Sequence, residues 1–145
     1  MDYINGIAGG VANTSAGESF IANTGNWIDA VHAQNPPPLS IYTRIYFSAS
    51  TKPDIGPNAP FASVGGMLGT MDDPLTELVP DLQSRVNQSL NDVVLPKTRY
   101  YAGAGTALEE ILRTQEIDTV ILSGIRTSGV IIDTAYRLFD LDYHV

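Results

Sequence analysis

The stretch Thr119-Val-Ile-Leu-Ser-Gly-Ile-Arg-Thr-Ser-Gly-Val-Ile-Ile-Asp-Thr-Ala135 changes its apolar period partway along. Val120 to Leu122 form an unbroken apolar run with β-branched members, which predicts a parallel strand buried on both faces. From Val130 onward, apolar residues fall at helical spacing, which predicts a helix with one buried face. Ligands of open α/β sheets bind where strands end and helices begin. We therefore expect an α/β fold with candidate chemistry between Ser123 and Gly129.

Composition excludes several classes of protein. The chain has 145 residues, which predicts a single domain spanning 1–145. Its formal net charge of −8 opposes binding to nucleic acid, whose phosphates need clustered Lys and Arg. No apolar run reaches the ~20 residues that span a bilayer, and the first residues lack the pattern of a signal peptide. The absence of cysteine excludes disulfides and thiolate metal sites and suits a cytoplasmic protein.

The first two thirds of the chain predict a loop, a helix and two strands. Residues 1–17 are rich in Gly, Asn, Ser and Ala, which indicates a loop that runs into a helix. A stripe of apolar residues between 18 and 34 predicts a helix, although Gly25 interrupts it. Residues 39–47 and 91–96 are rich in β-branched and other apolar residues, which predicts strands. The Gly- and Pro-rich segment 48–73 between them predicts a long surface loop.

A capping box marks the next helix. Thr106 and Glu109 have the spacing in which each side chain bonds the other's backbone N–H at a helix start. The apolar residues that follow indicate a helix that ends near residues 115–116. The strand discussed above would then begin around Asp118.

Residues 124–135, Gly-Ile-Arg-Thr-Ser-Gly-Val-Ile-Ile-Asp-Thr-Ala, resemble the nucleophile loop of the isochorismatase-like cysteine hydrolases. In that family a cysteine opens the helix, and Val130 occupies its position here. Because the chain has no cysteine, the usual thiolate chemistry cannot occur. The resemblance implies a three-layer α/β/α fold with a mostly parallel sheet, Rossmann-like and apparently shortened at both ends.

A second segment resembles the same family. Its pattern of a lysine, Arg-Tyr, a small residue, an aromatic, Gly-Thr and a leucine is similar to residues 97–108, Lys-Thr-Arg-Tyr-Tyr-Ala-Gly-Ala-Gly-Thr-Ala-Leu. Gly103 stands where a phenylalanine is usual, so the wall of the pocket is expected to differ. The resemblance implies that Lys97 is a catalytic residue. Without it, Lys97 would be read as a solvated surface charge.

The start of the chain also resembles the family. Met1-Asp2-Tyr3-Ile4-Asn5 is similar to the end of the first strand, which makes Asp2 the catalytic aspartate, while Ile4 replaces a common glutamine. The four or five apolar residues that normally precede this aspartate as a central strand are missing. The alternative is that Asp2 is only a frayed terminal residue.

Asp2 and Lys97 leave one kind of chemistry open. A carboxylic acid in a partly apolar pocket can protonate a substrate, and a neighbouring ammonium can fix geometry and charge. The resemblance therefore implies a hydrolase that acts on a small vinyl ether or related substrate without a cysteine nucleophile. The alternative is a catalytically inactive relative that serves as a small-ligand binder or oligomeric subunit.

The resemblance suggests further site residues around the loop. Ile125, Arg126, Gly129 and Tyr100 are expected to bind substrate, with a cis peptide between Ile125 and Arg126. Arg126 could bind a substrate carboxylate or form a salt bridge at a subunit contact. Ser128 is either a substitute nucleophile or a helix N-cap.

No cofactor or metal is expected. His32 lies on a predicted helix and His144 near the terminus, which does not make a ligand cluster. The glycine-rich segment 63–70 lacks the Gly-Lys-Ser/Thr ending of a phosphate-binding loop. A sheet with few strands exposes its edges, so self-association into a homo-oligomer is expected.

Overall fold

The computed structural model describes all residues, 1–145, and its elements follow an α/β order. The helices and strands are α1 Asn5–Ala12, α2 Ser15–His32, β1 Ser40–Ile45, α3 Ala62–Gly65, α4 Pro80–Gln83, β2 Asp92–Lys97, α5 Leu108–Thr114 and α6 Ile132–Phe139. A 3-10 turn at Pro74–Thr76 precedes α4, and a π-helical turn at Thr127–Ile131 leads into α6.

The regular sheet consists of β1 and β2, which pair in parallel from Ser40 opposite Asp92 to Ile45 opposite Lys97. Two short contacts extend it on the far side of β1. The amide of Asp2 donates to the carbonyl of Thr43, and Thr119 forms a parallel bridge with His144. Because the strands are parallel, their carboxyl ends lie at one edge of the sheet.

Two apolar clusters lie on opposite faces of this sheet. One joins α1, α2 and α4 to the end of β1 and includes Ala8, Ile28 and Ile45. The other joins α5 and α6 to β2 and includes Leu95 and Leu138. Helices therefore cover both faces, which gives the three-layer α/β/α arrangement that the sequence predicted.

The strand predicted from about Asp118 is wrong as a regular element. Residues 119–123 are extended but make only the single bridge at Thr119. They do not pair with β1, so the apolar composition of this run is not matched by a ladder of backbone hydrogen bonds. The predicted loop at 1–17 is also wrong in part, because α1 forms there and buries Ala8 completely.

The loop at 48–73 contains the short helix α3 but otherwise has no regular structure. Only one half of the predicted capping box forms. The hydroxyl of Thr106 accepts a hydrogen bond from the amide of Leu108. The carboxylate of Glu109 instead accepts from the hydroxyl of Tyr101 and the guanidinium of Arg137. Helix α5 begins at Leu108 for this reason and ends at Thr114. No helix has the length and apolar character needed to cross a membrane.

Candidate functional site

Asp2 and Lys97 meet at the carboxyl edge of the sheet. The distance from Lys97 Nζ to Asp2 Oδ2 is 2.6 Å, and neither side chain is exposed to solvent. Lys97 is the last residue of β2, while Asp2 is held beside β1 by its backbone bond to Thr43. Asp2 has a φ of 56°, a left-handed conformation that persists in non-glycine residues only where the surroundings enforce it.

The two side chains differ in their hydrogen bonds. Lys97 Nζ donates to the backbone carbonyls of Arg99 at 3.1 Å and Tyr100 at 3.0 Å, which fix its direction. Neither carboxyl oxygen of Asp2 has a well-aligned hydrogen bond, despite the close contact with Lys97. Buried polar atoms are rarely left in this condition, and a bound substrate can supply the missing partner.

Burial disfavours the charged form of both Asp2 and Lys97. Desolvation raises the pKa of the Asp2 carboxyl above its ordinary value, and the nearby Lys97 ammonium offsets only part of this effect. Desolvation likewise lowers the pKa of Lys97, with Asp2 opposing the change. Because the two pKa values move toward each other, moving a proton between the groups costs less here than in water.

A cavity of about 300 Å³ lies against this pair. Its wall includes Asp2 and all four residues that the sequence suggested for substrate binding: Tyr100, Ile125, Arg126 and Gly129. Most of the remaining lining is apolar, and it comprises Gly6, Ile7, Ile45, Ser63, Val64, Met67, Leu68, Ser128 and Val130. The volume is at the lower end of the range for small-molecule sites.

Val130 and Ser128 lie on the loop that faces the pair. Val130 is 3% exposed and presents only an apolar side chain to the cavity. Ser128 is exposed and also lines the cavity, and it is not the N-cap of a helix, because Arg126 occupies that position. The peptide bond from Ile125 to Arg126 is cis, as the resemblance implied.

Two of the departures from the family pattern, at Gly103 and Ile4, can be related to the packing around them. A side chain at Gly103 would overlap the ring of Tyr101, so a phenylalanine does not fit there. The ring of Phe61 instead packs edge-on against Tyr100, with 5.4 Å between ring centroids. Ile4, in place of a glutamine, is completely buried in the cluster beneath α1.

The sequence analysis missed the contribution of the long loop after β1 to the cavity. Val64, Met67 and Leu68 come from the long loop after β1 and close one side of the cavity. The available signal was their spacing of three and four residues within an otherwise polar, glycine-rich segment. That spacing places apolar side chains on one side of a helical turn.

The two histidines lie apart from this cavity. His32 Nε2 is 2.9 Å from the Asp92 carboxylate at the start of β2, and the backbone of His144 pairs with residues 118 and 120. No group of three or more potential metal-ligating side chains comes together.

A buried acid–amine pair at the carboxyl ends of parallel strands, beside a small cavity, defines an α/β protein with an enzyme-like site. Comparison with protein families gives a more specific class. A family model described as the isochorismatase domain matches residues 1–145, and the chain belongs to this family.

Solved structures share the fold. The N-carbamoylsarcosine amidase of Thermoplasma acidophilum is 22% identical with a TM-score of 0.75, and the match covers 98% of this chain and 74% of that one. An isochorismatase-like hydrolase from Alkaliphilus metalliredigens is 17% identical with a TM-score of 0.73, covering 98% and 73%. The nicotinamidase of Bacillus subtilis is 19% identical with a TM-score of 0.70, covering 98% and 77%. No curated protein matches the chain.

Proposed function

We propose that this protein is a hydrolase that protonates a small vinyl ether or related substrate, using Asp2 and Lys97 and no cysteine. The observation that supports this function best is the completely buried contact of 2.6 Å between Lys97 and Asp2, whose carboxyl lines the cavity. The second carboxyl oxygen of Asp2, Oδ1, adds to it, because it has no hydrogen-bond partner and can engage a substrate.

The reaction would begin with the protonated carboxyl of Asp2. It gives its proton to the terminal carbon of the vinyl ether, the double-bond electrons form the new C–H bond, and the other vinyl carbon becomes an oxocarbenium ion. Water adds to this carbon and loses a proton to the Asp2 carboxylate. The resulting hemiketal then breaks its ether C–O bond, which releases an alcohol and leaves a carbonyl compound.

Lys97 would stabilise the carboxylate that Asp2 becomes after it has protonated the substrate. After Asp2 has given up its proton, the neighbouring ammonium balances the new carboxylate in a site that holds little water. The two backbone carbonyls that bind Lys97 keep the ammonium in place throughout. A preorganised charge of this kind favours the transition state without further rearrangement.

Arg126 supplies the cavity with a cation. Its side chain is exposed, lines the cavity and has no carboxylate partner within the chain. A guanidinium binds a carboxylate through two parallel hydrogen bonds, so the expected substrate carries at least one carboxylate. Ile125, Gly129 and Tyr100 would pack against the rest of the substrate.

Amide hydrolysis fits these residues less well. Two of the similar structures are named as an amidase and a nicotinamidase. A covalent route to amide cleavage needs a nucleophile with a lone pair, and Val130 has none. Protonation of a vinyl ether needs only the acid, so this reaction survives the absence of a thiol.

A second candidate is a small-ligand binder or oligomeric subunit without catalytic activity. The apolar Val130 at the wall of the cavity favours it, because binding requires no nucleophile. Large apolar side chains on the surface, among them Met67, Tyr136 and Phe139, are compatible with self-association.

Pyruvate release from isochorismate separates the two candidates. We expect the protein to release pyruvate above the uncatalysed rate and Lys97→Ala to lose at least ~100-fold of this activity. Arg113→Ala, on the exposed face of α5, is the matched control and should retain activity. Equal background rates for the protein and Lys97→Ala would exclude the enzyme, and ligand-induced stabilisation of both would favour the binder.

A further inference from the structure

Arg99 lies in the loop after β2, just beyond Lys97, and its side chain is half-buried. It lines neither the cavity at the acid–amine pair nor a second cavity of about 460 Å³ beside Met1, which lies along residues 40–43 and 119–123. No carboxylate forms an ion pair with its guanidinium. The hydrogen bonds of this group go to backbone carbonyls instead.

The Arg99 guanidinium joins the loop after β2 to the loop after β1. One terminal nitrogen donates to the carbonyl of Thr98 at 2.7 Å, and the other donates to the carbonyl of Asp54 at 2.8 Å. A guanidinium is planar and rigid, so its two terminal nitrogens cannot move independently. The two loops are therefore held at a fixed separation.

The Asp54 end of this link is itself fixed. The carboxylate of Asp54 accepts a hydrogen bond from the amide of Ser48 at 2.8 Å. The hydroxyl of Ser48 also lies 2.9 Å and 2.8 Å from the two carboxylate oxygens. These contacts close residues 48–54 into a turn directly after the end of the β1 segment. Arg99 is thus anchored to a structured part of the long loop.

The face of the Arg99 guanidinium packs on aromatic rings that lead to the cavity. Its central carbon lies 5.0 Å from the ring centre of Phe61, which is a cation–π contact. Phe61 packs edge-on against Tyr100, and Tyr100 lines the cavity at the acid–amine pair. Loss of the guanidinium would therefore loosen a ring of the cavity wall.

The backbone of the same segment holds the ammonium of Lys97. Its two carbonyl partners belong to Arg99 and Tyr100. The side chain of Arg99 fixes this segment from both directions, through the carbonyl of Thr98 before it and through the rings of Phe61 and Tyr100 after it. A shift of the segment would move both acceptors away from the buried ammonium.

We propose that Arg99 is a positioning residue, because it holds in place the two carbonyls that direct the Lys97 ammonium toward Asp2. Its effect on turnover rests on the proposed function, whereas its effect on Lys97 does not. Misplacing a catalytic group by about 1 Å can cost ~100-fold in rate, so a small shift of this segment is measurable. The alternative is that Arg99 only stabilises the long loop.

The test is Arg99→Gln, with Arg44→Gln as the matched control. Arg44 also donates to two backbone carbonyls, those of Thr76 and Met71, and its guanidinium carbon lies 5.5 Å from the ring centre of Tyr46. It therefore makes the same kinds of contact as Arg99 at the far end of the loop. Its side chain makes no hydrogen bond to the segment that holds Lys97.

Carbon-13 NMR of the Lys97 side chain follows its ammonium as pH is varied. In Arg99→Gln the titration midpoint of Lys97 should fall by at least ~0.5 pH unit, because hydrogen bonds to carbonyls favour the ammonium over the amine. The kcat for pyruvate release should fall at least ~10-fold, since the counter-charge beside Asp2 is less well placed. Arg44→Gln should change neither quantity, although both variants should lose stability.

Arg99→Lys separates geometry from charge. Lysine retains the positive charge over Phe61 but lacks the fork that binds two carbonyls, so it should restore neither the midpoint nor kcat fully. Full restoration by Arg99→Lys would overturn the proposal, as would an unchanged Lys97 midpoint in Arg99→Gln or an equal shift in Arg44→Gln. If the parent releases no pyruvate, the proposed function alone fails, and the Lys97 midpoint still decides the role of Arg99.

Discussion

The two cavities of this protein share a boundary at Met1 and Asp2 but differ in completeness. On the Asp2 side, Lys97 is bonded to two carbonyls and the cavity wall is closed by residues from five parts of the chain. On the Met1 side, backbone groups of Ile41 and Ile121 have no partners. The contrast shows that a site at the carboxyl edge of a sheet can be assembled from a few residues at the ends of its strands.

The difference has a physical cause. The site depends on the ends of the strands, where three backbone bonds from Met1 and Asp2 are enough to hold the acid in place. The cavity beside Met1, of about 460 Å³, lies along the middle of residues 40–43 and 119–123, where each unpaired backbone group requires its own partner. The acid–amine site therefore needs only a few contacts at the strand ends, whereas the cavity beside Met1 needs contacts along the whole length of the strands.

The largest effect is expected from Lys97→Met. It removes the ammonium that offsets part of the desolvation of the Asp2 carboxyl, so the pKa of Asp2 should rise further and the unfolding free energy should fall by up to ~3–5 kcal/mol. Denaturant titration and pyruvate release measure stability and activity together. Lys52→Met is the matched control, because Lys52 binds the carbonyls at the end of α3 and has no carboxylate partner. Equal losses for the two lysines would mean that the pair has no special role.

Val130→Cys tests whether the loop faces the same cavity as Asp2. The change nearly conserves volume, so we expect a loss below ~1.5 kcal/mol. The new thiol is the only one in the chain, and iodoacetamide should modify it and abolish turnover by filling the cavity. Mass spectrometry reports the modification. Complete modification with full activity would place Val130 outside the site.

Arg126→Gln should separate binding from chemistry. The side chain is exposed, so Tm should stay nearly constant, whereas KM for a substrate with a carboxylate should rise ~10-fold with little change in kcat. Arg113→Gln is the control for loss of an exposed positive charge. A fall in kcat at constant KM would contradict a binding role for Arg126.

Glu109→Gln shows how much an ion pair that lies outside both cavities contributes to stability. Hydrogen bonds from Tyr101 and Arg137 hold the pKa of Glu109 below its ordinary value. Its contribution is therefore present above the unfolded pKa and is lost as pH falls through the lower folded value. We expect the parent to exceed Glu109→Gln by only ~1–3 °C in Tm near neutral pH, with the difference vanishing in acid. A difference that grows toward low pH would contradict this sign.

The sequence predicted the elements whose signals are local. The apolar runs at β1 and β2, the helix after Thr106 and the motif around Lys97 all appeared near their predicted positions. The contact between Asp2 and Lys97 joins residues far apart in the chain, so only the resemblance suggested it. The hydrogen-bonded neighbours of each group could not be predicted from spacing.

The errors come from tertiary context. Helix α1 was missed because Gly6, Gly9 and Gly10 have poor helix propensity, yet burial of Ala8 stabilises it. Residues 119–123 have the composition of a buried strand, but a strand exists only through its partners, and one side has none. Cytoplasmic location and self-association remain predictions.

The protonation of Asp2 tests the central claim most directly. Carbon-13 NMR of the carboxyl carbon, assigned through Asp2→Asn, follows this group as pH is varied. Because burial raises its pKa, we predict that Asp2 stays protonated well above the pH at which an exposed aspartate ionises. A midpoint at or below the ordinary aspartate value would show a permanently ionised carboxylate and would contradict its role as the acid.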